Sequence, residues 1–261
     1  MERDPKGGSD VGRDIVRDLS DEPPPAFRDA APDILSPIDD SSPVSGHVPP
    51  TQATGSPVDT PEHDWGLARE LVRPAFRPVG TSGLPLETVD RDTLAQHAMQ
   101  SHAQPLLDTG PAGLPVVYAL AAGGFDIVIN GDHLLSWGIE PAELQDAAIA
   151  NLTTWAATAP WTDEVSGDRR VISSDTGDGL DAVRILLPDA VAYLTGELGG
   201  DGRVLVGIPE RHLLVAATLR PEDAGFAAMF SEFVIEQSGG ADEPIDRRLF
   251  ELVDGRLVEF N

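Results

Sequence analysis

The sequence predicts an α+β domain, a mostly antiparallel sheet built from hairpins with three or four packing helices, preceded by a disordered N-terminal tail. Three observations predict it. Apolar, β-branched runs come in pairs around short turn signals such as Gly123-Gly124 and Asp254-Gly255. Single stretches with apolar residues three and four apart, the helical spacing, interrupt those pairs. Composition also changes near residue 63: residues 1–62 hold 11 of the 23 prolines and 13 acids against five bases, with Phe27 as their one aromatic residue.

The tail is the simplest element to justify. Pro23-Pro24-Pro25 and Pro49-Pro50 cannot continue a helix or a central strand. So polar a segment buries too little apolar area to offset an ordering entropy of about 1–2 kcal/mol per residue. The expected organisation is a disordered acidic, proline-rich tail over 1–62, a linker over 63–85 broken by Pro74 and Pro78, and a single α+β domain over 86–261. Within the tail, Val11, Ile15 and Leu19 lie four apart, which reads as a transient helix, with a binding stripe as the sharper alternative.

In the body, Leu86 to Leu107 has helical spacing, with Thr88 or Asp90 as cap and Leu94, Ala98 and Met99 as its apolar face. Val116 to Leu120 and Phe125 to Asn130 form a hairpin across Gly123-Gly124, and Asn130-Gly131-Asp132 is a further turn signal. A helix opens at Pro141, favoured by Glu140 and Glu143 at its positive end, with Leu144, Ala148, Ile149, Leu152 and Trp155 as its stripe. Arg170 to Ser174 is a short strand. The next helix is expected from Leu180 to about Leu198, with Pro188 as a kink or break. Val204 to Ile208 and Leu213 to Thr218 are strands, and Asp223 to Gln237 is a helix with Phe226, Phe230, Phe233 and Val234 inward. Leu249 to Val253 and Arg256 to Phe260 close the chain as a hairpin over Asp254-Gly255.

Composition excludes more chemistry than it suggests. The chain of 261 residues has no cysteine, so thiol nucleophiles, disulfides, thiolate zinc sites and iron–sulfur clusters are absent. Its one lysine is Lys6, so the body offers no amine for a Schiff base and no P-loop lysine. A formal charge of −26 repels nucleic acid and anionic membrane surfaces. No apolar run reaches the ~20 residues that span a bilayer, and the first residues lack the apolar stretch of a secretory signal. A cytoplasmic protein is expected, with no cofactor and no membrane or nucleic-acid partner.

Four histidines fall in the body: His97, His102, His133 and His212. His97 and His102 stand about 140° apart on a helix and share no metal-binding face, and no metal motif accompanies them. The densest signal is Asp175-Thr176-Gly177-Asp178-Gly179-Leu180-Asp181. Its carboxylates suit Mg²⁺ or Ca²⁺ by type and depart from the calcium-loop spacing. The plainer reading makes Asp178 the N-cap of the following helix, with Asp181 at its third position and Arg184 three residues on as an ion-pair partner. His212, between two strands and near Glu210, is a general-base candidate or ordinary turn chemistry. The candidate catalytic set is therefore Asp178, Asp181, Arg184, Glu210 and His212, with no metal ligand assigned.

Three blocks in order resemble the bacterial YtpQ-like family, a domain of unknown function. They are Val117-Tyr118-Ala119-Leu120 with Trp137 ahead of Ala148 to Leu152, then Gly177 to Leu186, then Val206 to Leu214, so that the likeness spans about 86–260. The family tends to read Asp-Gly-Tyr-Asp-Ala-Ser-Arg-Ile-Leu in the second block and Ser-Val-Pro-x-x-Asp-x-Leu in the third. Here Leu180 replaces an aromatic residue, and His212 stands where the family often has Asp. The resemblance implies an α+β fold and brings no activity with it.

By elimination, and because of the tail, the leading expectation is a non-enzymatic interaction or regulatory module with a protein partner. The alternative is a metal-dependent or acid/base enzyme using the Asp178/Asp181/Arg184 and His212 loops. A third reading is a small-molecule or peptide sensor with an apolar groove beside the hairpins.

Overall fold

The computed structural model describes residues 60–96, 103–122, 125–166 and 169–261. The tail up to residue 59, the Val11/Ile15/Leu19 stripe, the Gly123-Gly124 turn, and His97, Ala98, Met99 and His102 lie outside the described residues.

Asp64 starts the described elements by accepting the Gly66 N–H at 2.7 Å, which caps α1 (Trp65–Ala68). Then follow β1 (Val72–Phe76), β2 (Leu84–Pro85), α2 (Arg91–Gln96), β3 (Leu106–Thr109), β4 (Pro115–Ala122) and β5 (Phe125–Val128). These strands form the first sheet, in the order β1-β4-β3-β2 with β5 also on β4. The chain continues through α3 (Gly131–Trp137), α4 (Pro141–Ala156), β6 (Thr162–Ser166), β7 (Arg169–Ser174) and α5 (Pro188–Leu198). It ends with β8 (Arg203–Glu210), β9 (Leu213–Leu219), α6 (Ala224–Gly240), β10 (Leu249–Val253) and β11 (Arg256–Glu259). The second sheet runs β11-β10-β8-β9-β7-β6 with every pairing antiparallel, so the fold is α+β.

Four expectations are corrected. The segment 63–85 is not a linker: β1 pairs with β4 from Val72↔Leu120 to Phe76↔Val116, and Val72, Ala75 and Phe76 are buried. Pro74 reads as a breaker but sits on an edge strand, where no second neighbour needs its missing N–H. The helix expected to reach Leu107 gives way to β3, because Pro105 cannot continue a helix and β4 pairs with Asp108 and Thr109. Asn130-Gly131-Asp132 opens α3 instead of a simple turn, with Asn130 Oδ1 accepting from the Asp132 and His133 N–H groups at 3.1 and 3.3 Å. The helix expected over 180–198 splits into a 3₁₀ turn at Ala182–Leu186 and α5, which begins at Pro188.

Two cores share the second sheet. Val204, Val206 and Ile208 of β8 point toward α4, α5 and the first sheet, where they join Leu144, Leu152, Leu194 and Val116. Leu205 points to the opposite face, with Leu213, Val215, Phe226, Phe230 and Val234. Alternation along the strand therefore feeds both layers, and this is why β8 and β9 read as nearly continuous apolar runs. Helix α6 lies close on its strand: a Cβ on Gly207 would stand 2.4 Å from Val234 Cγ2. Phe233, expected inward, is exposed along with Met229 and Ile235, because apolar residues occur on more than one side of this helix and only one side meets the sheet.

A buried tyrosine is matched by polar partners from two neighbouring elements. The Tyr118 hydroxyl donates to Asp108 Oδ2 at 2.8 Å, and Gln145 Nε2 donates to the same oxygen at 2.7 Å. That joins β4, β3 and α4, and burial followed by the Asp108 hydrogen bond pushes the phenol well above its ordinary range.

Candidate functional site

The acidic loop after β7 is an anchor rather than a helix cap. Gly177 and Gly179 take φ of 79° and 73°, turning the chain so that the Asp181 carboxylate faces back onto Ser174 and Thr176. Asp181 Oδ1 accepts from Ser174 Oγ at 2.7 Å and from the Thr176 N–H at 3.0 Å, and Oδ2 accepts from Thr176 Oγ1 at 3.0 Å. Asp181 is fully buried. Asp178 caps no helix: it is exposed, and its Oδ2 accepts from Trp155 Nε1 at 2.9 Å. The capping reading fails because the 3₁₀ turn intervenes between this loop and α5.

Arg184 lies three residues beyond Asp181 and is 3% exposed. It forms no direct ion pair with Asp181. Nη1 donates to Ser174 Oγ and the Pro160 carbonyl, both at 3.0 Å; Nη2 donates to the Ala156 and Ala159 carbonyls at 3.1 and 2.7 Å. Those carbonyls close the C-terminal end of α4, where unpaired acceptors and the helix dipole favour a cation. The guanidinium also lies 3.8 Å over the Trp161 ring. Burial lowers its pKa, and the nearby Asp181 charge opposes that shift. Four bonds donated to the protein engage this arginine as a clamp and use the donors of both Nη atoms.

Glu210 and His212 face elsewhere. With Glu236, Gln237, Asp242 and Glu243 they line a polar cleft of about 340 Å³ at the end of α6. The His212 Nδ1 atom is buried there without a hydrogen-bond partner. This cleft shares no lining residue with the one that contains Arg184, so the five sequence candidates do not converge on one pocket. Among the described residues, no three or more His, Asp or Glu side chains are grouped to hold a metal ion.

Sequence reasoning passed over Arg211 between those two candidates. Its Nε donates to the Gly179 carbonyl at 3.1 Å, Nη1 to Glu243 Oε2 at 3.1 Å, and Nη2 pairs with Asp126 on β5. One side chain thus ties the acidic loop and the start of the β10 approach to the first sheet. Only its position in a turn was visible in the sequence, which is why it carried no signal.

The open surfaces flank α5. Along one side, Ile185, Leu186, Val191, Ala192 and Leu257 line an apolar groove of about 850 Å³ that reaches the β10–β11 turn. On the other side, Trp161, Arg184, Leu187, Pro188, Asp189 and Tyr193 line a cleft of about 310 Å³. The Trp161 and Tyr193 rings stack there, 5.3 Å between centroids and 23° apart in plane. Trp161 and Tyr193 also escaped the sequence reading, because residues 32 apart give no local pattern.

Comparison with protein-family models, with curated proteins and with solved structures finds no match.

Proposed function

We propose that this chain is a non-enzymatic interaction module whose binding face is helix α5 with the clefts along its two flanks. The observation that carries the reading is the contrast between the two kinds of site. Two of the candidate polar groups, Asp181 and Arg184, are buried in bonds to the fold, and Glu210 and His212 line a separate polar cleft away from α5. The open concavities beside α5 are walled chiefly by apolar and aromatic side chains, which is the make-up of a recognition surface. The groove beside the β10–β11 hairpin also suits the peptide-binding form of the sensor reading. Among the described residues, no helix is long and apolar enough to cross a membrane. With the charge of −26, that favours a cytoplasmic protein partner over nucleic acid or lipid. The YtpQ-like resemblance is compatible with this role and assigns no reaction.

The test is capture of the partner from extracts of the native cell, its identification, and reconstitution with the purified chain. Ala192→Glu and Tyr193→Ala, on the two sides of α5, should each weaken the reconstituted complex at least tenfold while leaving the fold intact. A complex indifferent to both substitutions would overturn the reading.

A further inference from the structure

We infer that the exposed face of α6 receives a cationic amphipathic helix of a protein partner. This surface is separate from the α5 face: α6 packs with Leu205, Val215 and Leu249 on one side of the second sheet, and α5 joins the core on the other. Met229, Glu232, Phe233 and Glu236 stand at i, i+3, i+4 and i+7, the spacing of a single helical stripe. All four are exposed, Met229 at 47% and Phe233 at 38%, while Phe226, Phe230 and Val234 are the side chains that meet the sheet. Two apolar and two acidic side chains thus share one uncovered ridge.

Charge selects the occupant. Residues 221–246 hold seven acids and no arginine or lysine. Asp223, Glu243 and Asp246 pair with Arg169, Arg211 and Arg248, but Glu232 and Glu236 have no ion-pair partner among the described residues. Apolar side chains standing among unmatched carboxylates call for apolar groups flanked by cations. Nucleic acid and anionic membrane surfaces are repelled. A second copy would bring four carboxylates together across the stripe with no cation on either side. A uniformly apolar surface would desolvate Glu232 and Glu236 without compensation.

The stripe also selects a conformation. It offers no hydrogen-bond donor, so an extended segment would lay its carbonyls against it unmatched, whereas a helix pairs its own. A helix presents side chains at the same spacing of three and four, so its apolar ridge lies along Met229 and Phe233 while its basic side chains reach Glu232 and Glu236. Glu236 also lines the polar cleft with Glu210, Asp242 and Glu243 at the C-terminal end of α6, where the helix dipole adds negative potential. A further basic residue at that end of the partner helix enters the cleft. The overall charge of −26 steers such a segment toward the protein.

Isothermal titration of the full chain with three synthetic peptides of about 20 residues, ~30 Å of helix, tests this. The first carries leucine at i, i+3, i+4 and i+7 with arginine at the flanking positions. The second replaces each arginine by glutamate, and the third has the composition of the first in an order that destroys the stripe. Saturable binding is expected for the first, and at least tenfold weaker binding for each of the others. Met229→Ser with Phe233→Ser should weaken the first peptide at least tenfold with circular dichroism unchanged. Glu232→Lys with Glu236→Lys should reverse the preference, toward the glutamate peptide. Ala192→Glu, beside α5, should change nothing. Equal binding of the scrambled peptide, indifference to either pair of substitutions, or a loss with Ala192→Glu would overturn the assignment. So would sedimentation of the chain alone as a dimer that Met229→Ser with Phe233→Ser dissolves, which would give this face to a second copy.

Discussion

Asp181 and Arg184 are joined through a third residue: the Ser174 hydroxyl donates to Asp181 Oδ1 at 2.7 Å and accepts from Arg184 Nη1 at 3.0 Å. The single hydroxyl connects the end of β7, the acidic loop and the C-terminal end of α4. Because a hydroxyl both donates and accepts, it can link an anion to a cation with neither left bare.

Arg184→Met keeps an apolar stem and removes every donor. The carbonyls of Ala156, Ala159 and Pro160 then lose their Arg184 bonds, and the Asp181 charge is left buried. A loss of about 3–5 kcal/mol in urea denaturation is expected. Arg184→Lys should recover less than half of it, because an ammonium on a flexible stem cannot reproduce the planar fork. Full recovery by lysine would show that charge alone matters here.

The two aspartates of the loop should separate cleanly. Asp181→Asn puts an amide where three donors converge, and the Thr176 N–H cannot reverse its role, so a cost of about 1–3 kcal/mol is expected. Asp178→Ala removes one exposed bond from Trp155 Nε1 and should cost less than about 1 kcal/mol, with helical circular dichroism unchanged. The opposite order of stabilities would return Asp178 to the role of cap.

His133 gives stability a pH dependence. The imidazole packs against the N-cap of α3, with Nδ1 3.2 Å from the Asn130 backbone nitrogen and 2.8 Å from Asn130 Oδ1. Burial lowers the imidazole pKa, opposed by the charges of Glu62 and Asp132. The unfolded chain therefore takes up the proton first as pH falls. The contribution of His133 is complete above the unfolded value of about 6.5 and is lost as pH falls through the lower folded value. Chemical denaturation of wild type and His133→Gln should show a wild-type advantage that is larger at about pH 7.5 than at about pH 5. An advantage that grows on acidification would contradict the sign.

Gly207→Ala tests how α6 is seated. The added methyl would meet Val234 Cγ2 at 2.4 Å, so the helix must shift or Val234 must leave its rotamer. A cost of about 1–3 kcal/mol is expected. Pairing it with Val234→Ala should recover part of that loss, since the second change vacates the contested volume.

Much of the second sheet was legible along the chain. Asp254-Gly255 carries φ of 49° and 73°, the left-handed pair that a two-residue hairpin turn requires, and β10 and β11 lie on either side of it. The continuous apolar residues of β8 and β9 and the start of α4 at Pro141 were likewise local signals. Tertiary structure decided the rest. Pro74 is compatible with a strand only because β1 lies at an edge, and edge position is a property of the whole sheet. The roles of Asp181 and Arg184 followed from partners at Ser174, Ala156 and Pro160, and the Trp161–Tyr193 stack from residues far apart in sequence. Sequence by itself determined the Asp254-Gly255 turn, the net charge and the absence of thiols and, in the body, of lysine, because these depend on residue type and local spacing. It could not say which polar groups become buried clamps and which stay open beside α5, because that depends on which distant groups the fold brings within hydrogen-bonding distance.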